Sequence, residues 1–403
     1  MSRLSKRLKI YLDNASATPI SQIVKKEVIK ATELYGNPSS FNNAGRAARK
    51  KFNGSRLAIA RFLGSKPEEI IFTSSGSEAN NLALFGLAEA YPDRKEIITS
   101  PIEHPSVLKP LQVLSKRGYK IIFVRVNSVG LVDVEDLRRK ITLKTLLVSI
   151  MYANNEIGTI QPIIKASRVI KEFRKNKLEI GNWKLEIDEK MFPFFHVDAC
   201  QATEYLDMNV NNLGVDLLTF NGSKIYGPRG IAVLYKKRGV LLKPIIYGGD
   251  QEYSLRAGTE NLPAVAGLAV AIGLIDKRDG QKLLKLREYF FDKINIVIRD
   301  VKINGSGGLD RLPNNINISI PELNDENLLL ELDRYGIQAS SGSACTARSV
   351  EPSHVLKAID VSPRYLNGAL RFSMGRQTTK KDIDYLLEVL LKIVKDLKKR
   401  YGK

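Results

Sequence analysis

Only two cysteines, Cys200 and Cys345, occur in 403 residues, so no disulfide framework can support this fold. The three histidines, His104, His196 and His354, lie too far apart for a zinc site of the usual spacing, and no metal is expected. No apolar run is long enough to span a bilayer, and the basic start Met1–Arg7 lacks the apolar stretch of a signal peptide. The folded sequence begins by Ile10–Asp13, which leaves little room for a transit peptide. These absences exclude a disulfide-rich secreted domain, a zinc module and a membrane protein, and a reducing cytoplasm is the expected compartment.

Basic residues are in excess: Lys and Arg total 63 against 43 Asp and Glu, a formal charge of +20. A charge of that size attracts nucleic acid or an acidic protein through solvent. The charges recur in short, distant groups such as Arg49–Lys51, Lys236–Arg238 and Lys398–Arg400. No basic stripe interleaved with aromatics stands out, so a generally basic soluble protein is the simpler reading, with an acidic carrier or tRNA as a partner class.

The length suits one large domain and one smaller one. Through the first two thirds, short β-branched runs alternate with helical patterns. Strands are predicted at Glu69–Phe72, Glu96–Thr99, Lys120–Val126, Thr145–Ile150, Phe194–Asp198, Leu217–Phe220 and Ile231–Tyr235. Helices are predicted at Ser77–Tyr91 and, opened by Asp133, at Val134–Lys140. Strands alternating with helices predict an α/β domain with a mainly parallel seven-stranded sheet covered on both faces. Beyond about residue 263 come helices at Ala264–Ile275 and Asp279–Arg299, strands near Asn315–Ile320 and Ala369–Met374, and a final helix at Lys380–Lys399 with Thr379 and Asp382 as a capping pair. That pattern predicts a smaller α+β domain. The charged segment Lys177–Met191, which holds the only tryptophan, Trp183, reads as a surface hairpin.

Ligands in open parallel sheets sit beyond the carboxyl ends of the strands, and three segments there could carry chemistry. Phe72–Asn80 runs from a strand through a Gly/Ser turn into a helix, which aims backbone N–H groups and hydroxyls at one point and suits a phosphate, or simply caps a helix. His196–Ala199 ends a strand with Asp198, a carboxylate able to hold a protonated ring nitrogen or to cap a helix. Lys224 follows another strand in the Gly-rich loop Asn221–Gly230, placed to be desolvated as an imine-forming amine or to stand as a surface charge. Together a phosphate cradle, a ring-nitrogen acid and an amine are what a pyridoxal 5'-phosphate site requires. In Ala339–Thr346 small Ser and Gly residues surround Cys345; alone it reads as an inert cysteine in a turn, but such flanks leave a thiol exposed and able to reach.

The Lys224 loop, His196–Ala199, Asn154–Gly158, Glu103-His104, Arg256–Thr259, the Cys345 loop and Arg371–Ser373 resemble, in chain order, the cysteine desulfurases of the NifS/IscS type, class V aminotransferase-like enzymes of pyridoxal-phosphate fold type I. The resemblance runs from about Tyr11 to Thr379, and the loop Ser340–Thr346 separates sulfur-transferring members from relatives without the cysteine. It implies a large cofactor-binding domain over residues 14–262, and a small domain formed by residues 1–13 and 263–403 that carries the catalytic cysteine. It also implies a role for each matched residue. Lys224 would bind the cofactor covalently, Asp198 would pair with the pyridine nitrogen, Gln201 would contact the ring oxygen and His104 would stack on the ring and shuttle protons. Gly76, Ser77, Asn221 and Ser223 would line the phosphate site, joined by Thr259 from the other subunit of a homodimer. Asn155 would lie by cofactor and substrate, Arg371 would grip the substrate carboxylate with Asn37 helping to position it, and Cys345 would take the sulfur.

The activity so implied removes sulfur from L-cysteine, leaving L-alanine and a persulfide on Cys345, for an iron–sulfur scaffold, another acceptor protein or tRNA thiolation. A selenocysteine lyase, another β-lyase, or a degenerate binding homologue would share much of this sequence. The chain departs from the family in three places. Ser223 and Asn221 stand where His and Ser are common, Asn42 and Asn43 lie near a missing histidine, and Lys177–Met191 is an insertion. Cys200, where the family tolerates small residues, reads as structural.

Overall fold

A computed structural model describes residues 9–179, 191–342 and 352–401. In chain order its strands are β1 (Ile10–Tyr11), β2 (Ile70–Thr73), β3 (Glu96–Thr99), β4 (Lys120–Phe123), β5 (Thr145–Ser149), β6 (Phe194–Asp198), β7 (Leu217–Asn221), β8 (Ala232–Lys236), β9 (Lys302–Ile303), β10 (Asn315–Ser319), β11 (Ile337–Gln338) and β12 (Ala369–Ser373). Seven of them form one sheet in the order β2-β8-β7-β6-β5-β3-β4. Pairing is parallel from β4 through β7, while β8 is antiparallel to both β7 and β2, so β8 alone runs against the rest. The α/β class and mainly parallel sheet expected from the alternation are therefore present. The single reversed strand was not legible, because β8 follows β7 through a loop rather than a crossover helix.

Strands β2, β3, β5 and β6 are buried at every position, as a sheet sandwiched between helices requires. Strand β4 is the exposed edge and ends earlier than the run Lys120–Val126 predicted. The Arg125 N–H donates to the Asp136 carboxylate at 2.9 Å, and Val126 bridges to Val132 across the turn Asn127–Gly130, so pairing with β3 stops. Helices cover both faces. The helix Gly76–Ala90 starts where the Ser75 hydroxyl accepts from the Glu78 N–H at 3.1 Å. The helix Asn43–Leu63 is capped by Asn42, whose side chain accepts from the Gly45 N–H. Asn42, one of the residues near the family's missing histidine, thus has a local structural task.

A second core unites the N-terminal strand with the C-terminal third of the chain. Ile10 and Leu12 pack with Phe290, Phe372 and Leu386, each side chain contributing about 2 kcal/mol by leaving water. Here β9, β10 and β12 form an antiparallel sheet and β1 pairs with β11. The helix Lys277–Val297 starts two residues before the predicted Asp279, because Asp276 accepts from the Arg278 N–H at 2.9 Å and so sets the cap. The last helix, Lys380–Tyr401, opens with Thr379 donating to the Asp382 carboxylate, the expected capping pair. Of the segment read as a hairpin, residues 177–179 instead complete the helix Ile163–Glu179, and 180–190, including Trp183, lie outside the described residues.

Candidate active site

Six strands pointing the same way bring their following loops to one sheet edge, where a cavity of about 200 Å³ opens. Gly76 and Ser77 line it from the helix start after β2, His104 from the loop after β3, and Asn155 from beyond β5. Asp198 lines it from the end of β6 with Gln201 just beyond, and Asn221 from the end of β7 with Lys224 just beyond. Arg371 closes it from β12 of the other core. The chain between β1 and the first helix adds Ala15 and Ser16, held because Asn14 and Ala15 bond to Ser373 of β12.

Asp198 is buried, and its two oxygens accept from the Asn80 amide at 2.8 Å and the Cys200 N–H at 3.0 Å. Lys224 Nζ donates to the carbonyls of Ala15 and Ser16 at 2.7 and 2.5 Å, and the Gln201 amide donates to the same Ala15 carbonyl at 2.9 Å. His104 caps the helix Pro105–Lys116, its Nδ1 accepting from the Ser106 N–H at 3.1 Å. Burial lowers the His104 pKa, which favours the neutral imidazole at the cavity wall. Arg371 is 1% exposed and donates to the Asn155 carbonyl, Asp13 and Ser16, and its buried Nε has no partner among the described residues. A buried guanidinium with a spare donor on a cavity wall is a ready receptor for a carboxylate.

These residues fit pyridoxal phosphate. A Cβ built on Gly76 would lie 2.8 Å from Cys200 Sγ and 3.1 Å from the Asn221 amide, so only glycine leaves that corner open. The corner lies at a helix N-terminus edged by the Ser75 and Ser77 hydroxyls, which suits a phosphate. Asp198 and Lys224 supply the acid and the amine.

Three sequence candidates lie elsewhere. Ser223 is outside the cavity lining, and its hydroxyl donates to the side-chain amide oxygen of Asn221 at 3.2 Å. Thr259 and Asn37 are exposed and outside the cavity of their own chain. Cys345 and Thr346 fall outside the described residues. His196 is a core residue between the hydroxyls of Ser149 and Thr219, and burial depresses its pKa to about 4. Cys200 lines the cavity beside Asp198, so it does more than fill the core; burial raises its pKa and keeps it a neutral thiol.

The sequence reading assigned no role to Asn80, Ser106, Ser16 or Asp13. Asn80 was detectable, since it lies one helical turn beyond Gly76 and so faces the same side. Ser16 and Asp13 reach the site only through the pairing of β1 with the C-terminal third.

The aminotransferase class-V family model matches residues 10–180 and 186–386, a match that breaks within the segment read as an insertion. The chain is 42% identical over 400 residues to the cysteine desulfurase IscS of Dictyoglomus turgidum, covering 97% of this chain and 95% of that protein. Among solved structures, a NifS-like protein superposes with a TM-score of 0.86 at 34% identity, over 96% of this chain and all of the other. SspA, solved in complex with cysteine, superposes with a TM-score of 0.77 at 31% identity, over 92% of this chain and all of the other.

Proposed function

This chain belongs to the aminotransferase class-V family and is a cysteine desulfurase of the NifS/IscS type, and from that premise we propose that it binds pyridoxal phosphate in the cavity around Lys224 and passes the sulfur of L-cysteine to Cys345. The observation that carries the reading is the convergence of Lys224, Asp198, His104 and Arg371 from four separate loops or strands on one cavity. The SspA structure holding cysteine supports that amino acid as substrate.

Lys224 would anchor the cofactor covalently, Asp198 would hold the ring nitrogen, and the helix start at Gly76 and Ser77 would receive the phosphate. The cofactor supplies an electron sink for charge that develops at the substrate Cα. Arg371 binds the substrate carboxylate, and Asn155, beside it, limits where the amino acid can lie. The Lys224 amine would take the Cα proton. Neutral His104 moves protons at the ring face. The Cys345 thiolate attacks the substrate sulfur: an S–S bond forms, the substrate C–S bond breaks, and the carbon takes up protons to leave as L-alanine. The cysteine sulfur and the enzyme thiol become a persulfide with no outside oxidant, because the two electrons the sulfurs lose reduce the substrate carbon to a methyl group.

The functional unit in this reading is a homodimer, with Thr259 and Asn37 acting at or near the neighbouring subunit's site. Their exposure supports it, as does the exposure of Tyr35, Phe41 and Tyr247, 89%, 84% and 76%, on the same chain. The proposed division is 14–262 against 1–13 with 263–403; a second core joins Ile10 and Leu12 to residues from Leu283 onward, whereas Ala264, Val265, Leu268, Ala271 and Ile272 pack in the first core. The persulfide goes on to an iron–sulfur scaffold or a tRNA-thiolation partner in the cytoplasm; among the described residues no helix is long and apolar enough to cross a membrane.

Cys345→Ala tests the proposal. Sulfide release from L-cysteine with a reductant should vanish while the change in cofactor absorbance on adding cysteine persists. Unchanged sulfide release refutes the role of Cys345, and alanine formed from selenocysteine but not from cysteine by the unaltered enzyme would make the protein a selenocysteine lyase.

A further inference from the structure

Lys224 and Arg371 come from different sheets, yet both reach Ser16: Lys224 Nζ donates to its carbonyl at 2.5 Å and Arg371 Nη2 to its hydroxyl at 2.8 Å. An amino acid must present its α-amine to one and its carboxylate to the other across a single Cα, so the spacing of the two decides what fits. Ser16 meets only their tips. The chains behind them, the loop after β7 and the end of β12, are joined by a second junction, built from Tyr226 and Arg376.

Tyr226, just beyond Lys224, is buried and holds a left-handed backbone with φ of 60°. A bulky side chain keeps that conformation only where surrounding contacts impose it. Those contacts are present. The Tyr226 N–H donates to the Thr18 hydroxyl at 2.7 Å, and the Tyr226 carbonyl accepts from the Ser21 N–H at 2.9 Å. At the far end of the side chain the phenol oxygen accepts from the Arg376 N–H at 2.7 Å, and the Arg376 guanidinium lies over the ring, 4.3 Å from its centre. A Cβ built on Gly375 would lie 2.7 Å from the same oxygen, so the backbone leaving β12 passes directly beside it. Arg376 also donates from Nε and Nη2 to the Glu204 carboxylate at 2.8 and 2.6 Å, and Glu204, buried, follows β6 of the seven-stranded sheet. The chain just past Arg371 is thus held against two loops of the main sheet, one of them the Lys224 loop.

We infer that Tyr226, with Arg376 clamped on it, is a positioning residue for substrate binding: it fixes the Lys224 loop to the chain that follows Arg371, and so sets the span between the amine and the carboxylate receptor. The inference rests on Lys224 and Arg371 having those two roles in the proposed function. Tyr226 is outside the cavity lining, so it acts through these two residues. A fixed span favours an α-amino acid over an amine that lacks the carboxylate, and misplacement by an ångström costs about a hundredfold.

The test titrates the cofactor absorbance of the holoenzyme with L-alanine and with ethylamine, which shares its amine but lacks the carboxylate. Tyr226→Gly takes the left-handed backbone without strain while losing the clamp. It should weaken L-alanine binding about 10-fold or more and leave ethylamine unchanged, and Arg376→Ala should do the same. Arg376→Lys, which keeps a cation for Glu204 and the ring, should recover most of the preference. The double variant Tyr226→Gly with Arg376→Ala should be no worse than the worse single one, because the two residues act as a unit. Cofactor uptake by the apoprotein should be the same in every variant. The inference is overturned if Tyr226→Gly and Arg376→Ala leave the preference for L-alanine intact. It is overturned equally if they weaken both amines alike or lose the cofactor, which would mark damage to the Lys224 loop as a whole. Failure of the underlying reading shows separately, as no absorbance response to either amine in the unaltered enzyme.

Discussion

Arg371 and Asp13 lie 358 residues apart in the chain, yet Nη2 of the arginine is 2.9 Å from Oδ1 of the aspartate. Ser16 bridges them, donating to Asp13 and accepting from Arg371. The pair orients a guanidinium that is otherwise enclosed in protein, and it leaves Nε without a partner among the described residues. Arg371→Lys keeps the charge and loses the fork, so KM for L-cysteine should rise about 10- to 100-fold with a smaller effect on kcat. Steady-state alanine formation over a range of cysteine concentrations checks it; an unchanged KM removes Arg371 from the carboxylate site.

Asp198 accepts one hydrogen bond on each oxygen; an asparagine has the same shape and keeps one of them, its NH2 facing the other donor. Asp198→Asn should therefore retain the fold and bound cofactor but lose the negative charge that stabilises a protonated ring. The expected fall in kcat is about 10²- to 10³-fold, the scale of losing one electrostatic stabiliser. Cofactor absorbance gives the occupancy and alanine release gives the rate.

Gly76 leaves the corner beside Cys200 open. Gly76→Ala brings a methyl group against the sulfur, 2.8 Å away, and cofactor retention after dialysis should drop. Adding Cys200→Ala removes that sulfur and should restore much of the retention. No recovery in the double variant would place the conflict with the Asn221 side chain or the phosphate instead.

Burial pushes the Glu103 carboxyl up to about 8 from its ordinary 4.5. The folded state thus holds this proton over a range where the unfolded chain has released it. Its contribution to stability is full below about pH 4.5 and is lost as pH rises toward 8. Glu204, pushed up to about 7, weakens the protein through part of the same range. Glu103→Gln is neutral at every pH and can still accept from Ser100 and the Met151 N–H. Melting temperature should fall less steeply from pH 5 to 8 in this variant than in the unaltered protein, the curves separating by about 2 °C or more at pH 8. Parallel curves would mean that Glu103 is already ionised in the folded protein.

Much of the candidate site was legible because its groups are neighbours in sequence. The Ser75–Asn80 cradle and the Lys224 loop each follow a buried β-branched run, and alternation with helices places such loops at one edge of the sheet. Strand ends were less legible: β4 stops where Asp136 takes the Arg125 N–H, a contact that strand propensity does not encode. Cys200, read as structural because the family tolerates small residues there, lines the cavity beside Asp198, which accepts from the Cys200 N–H.

The sequence by itself determined the alternating α/β class, the helix cap at Thr379 and Asp382, and the residue types at the cavity, since each depends on spacing within a few residues. Tertiary structure decided the rest. It reversed β8, brought Asp13 to Arg371, and set Ser353 on Glu156, 197 residues away. A periodic pattern shows which side of an element is buried but not which distant element covers it. That choice is made by the cooperative packing of two cores, whose contacts no single segment contains.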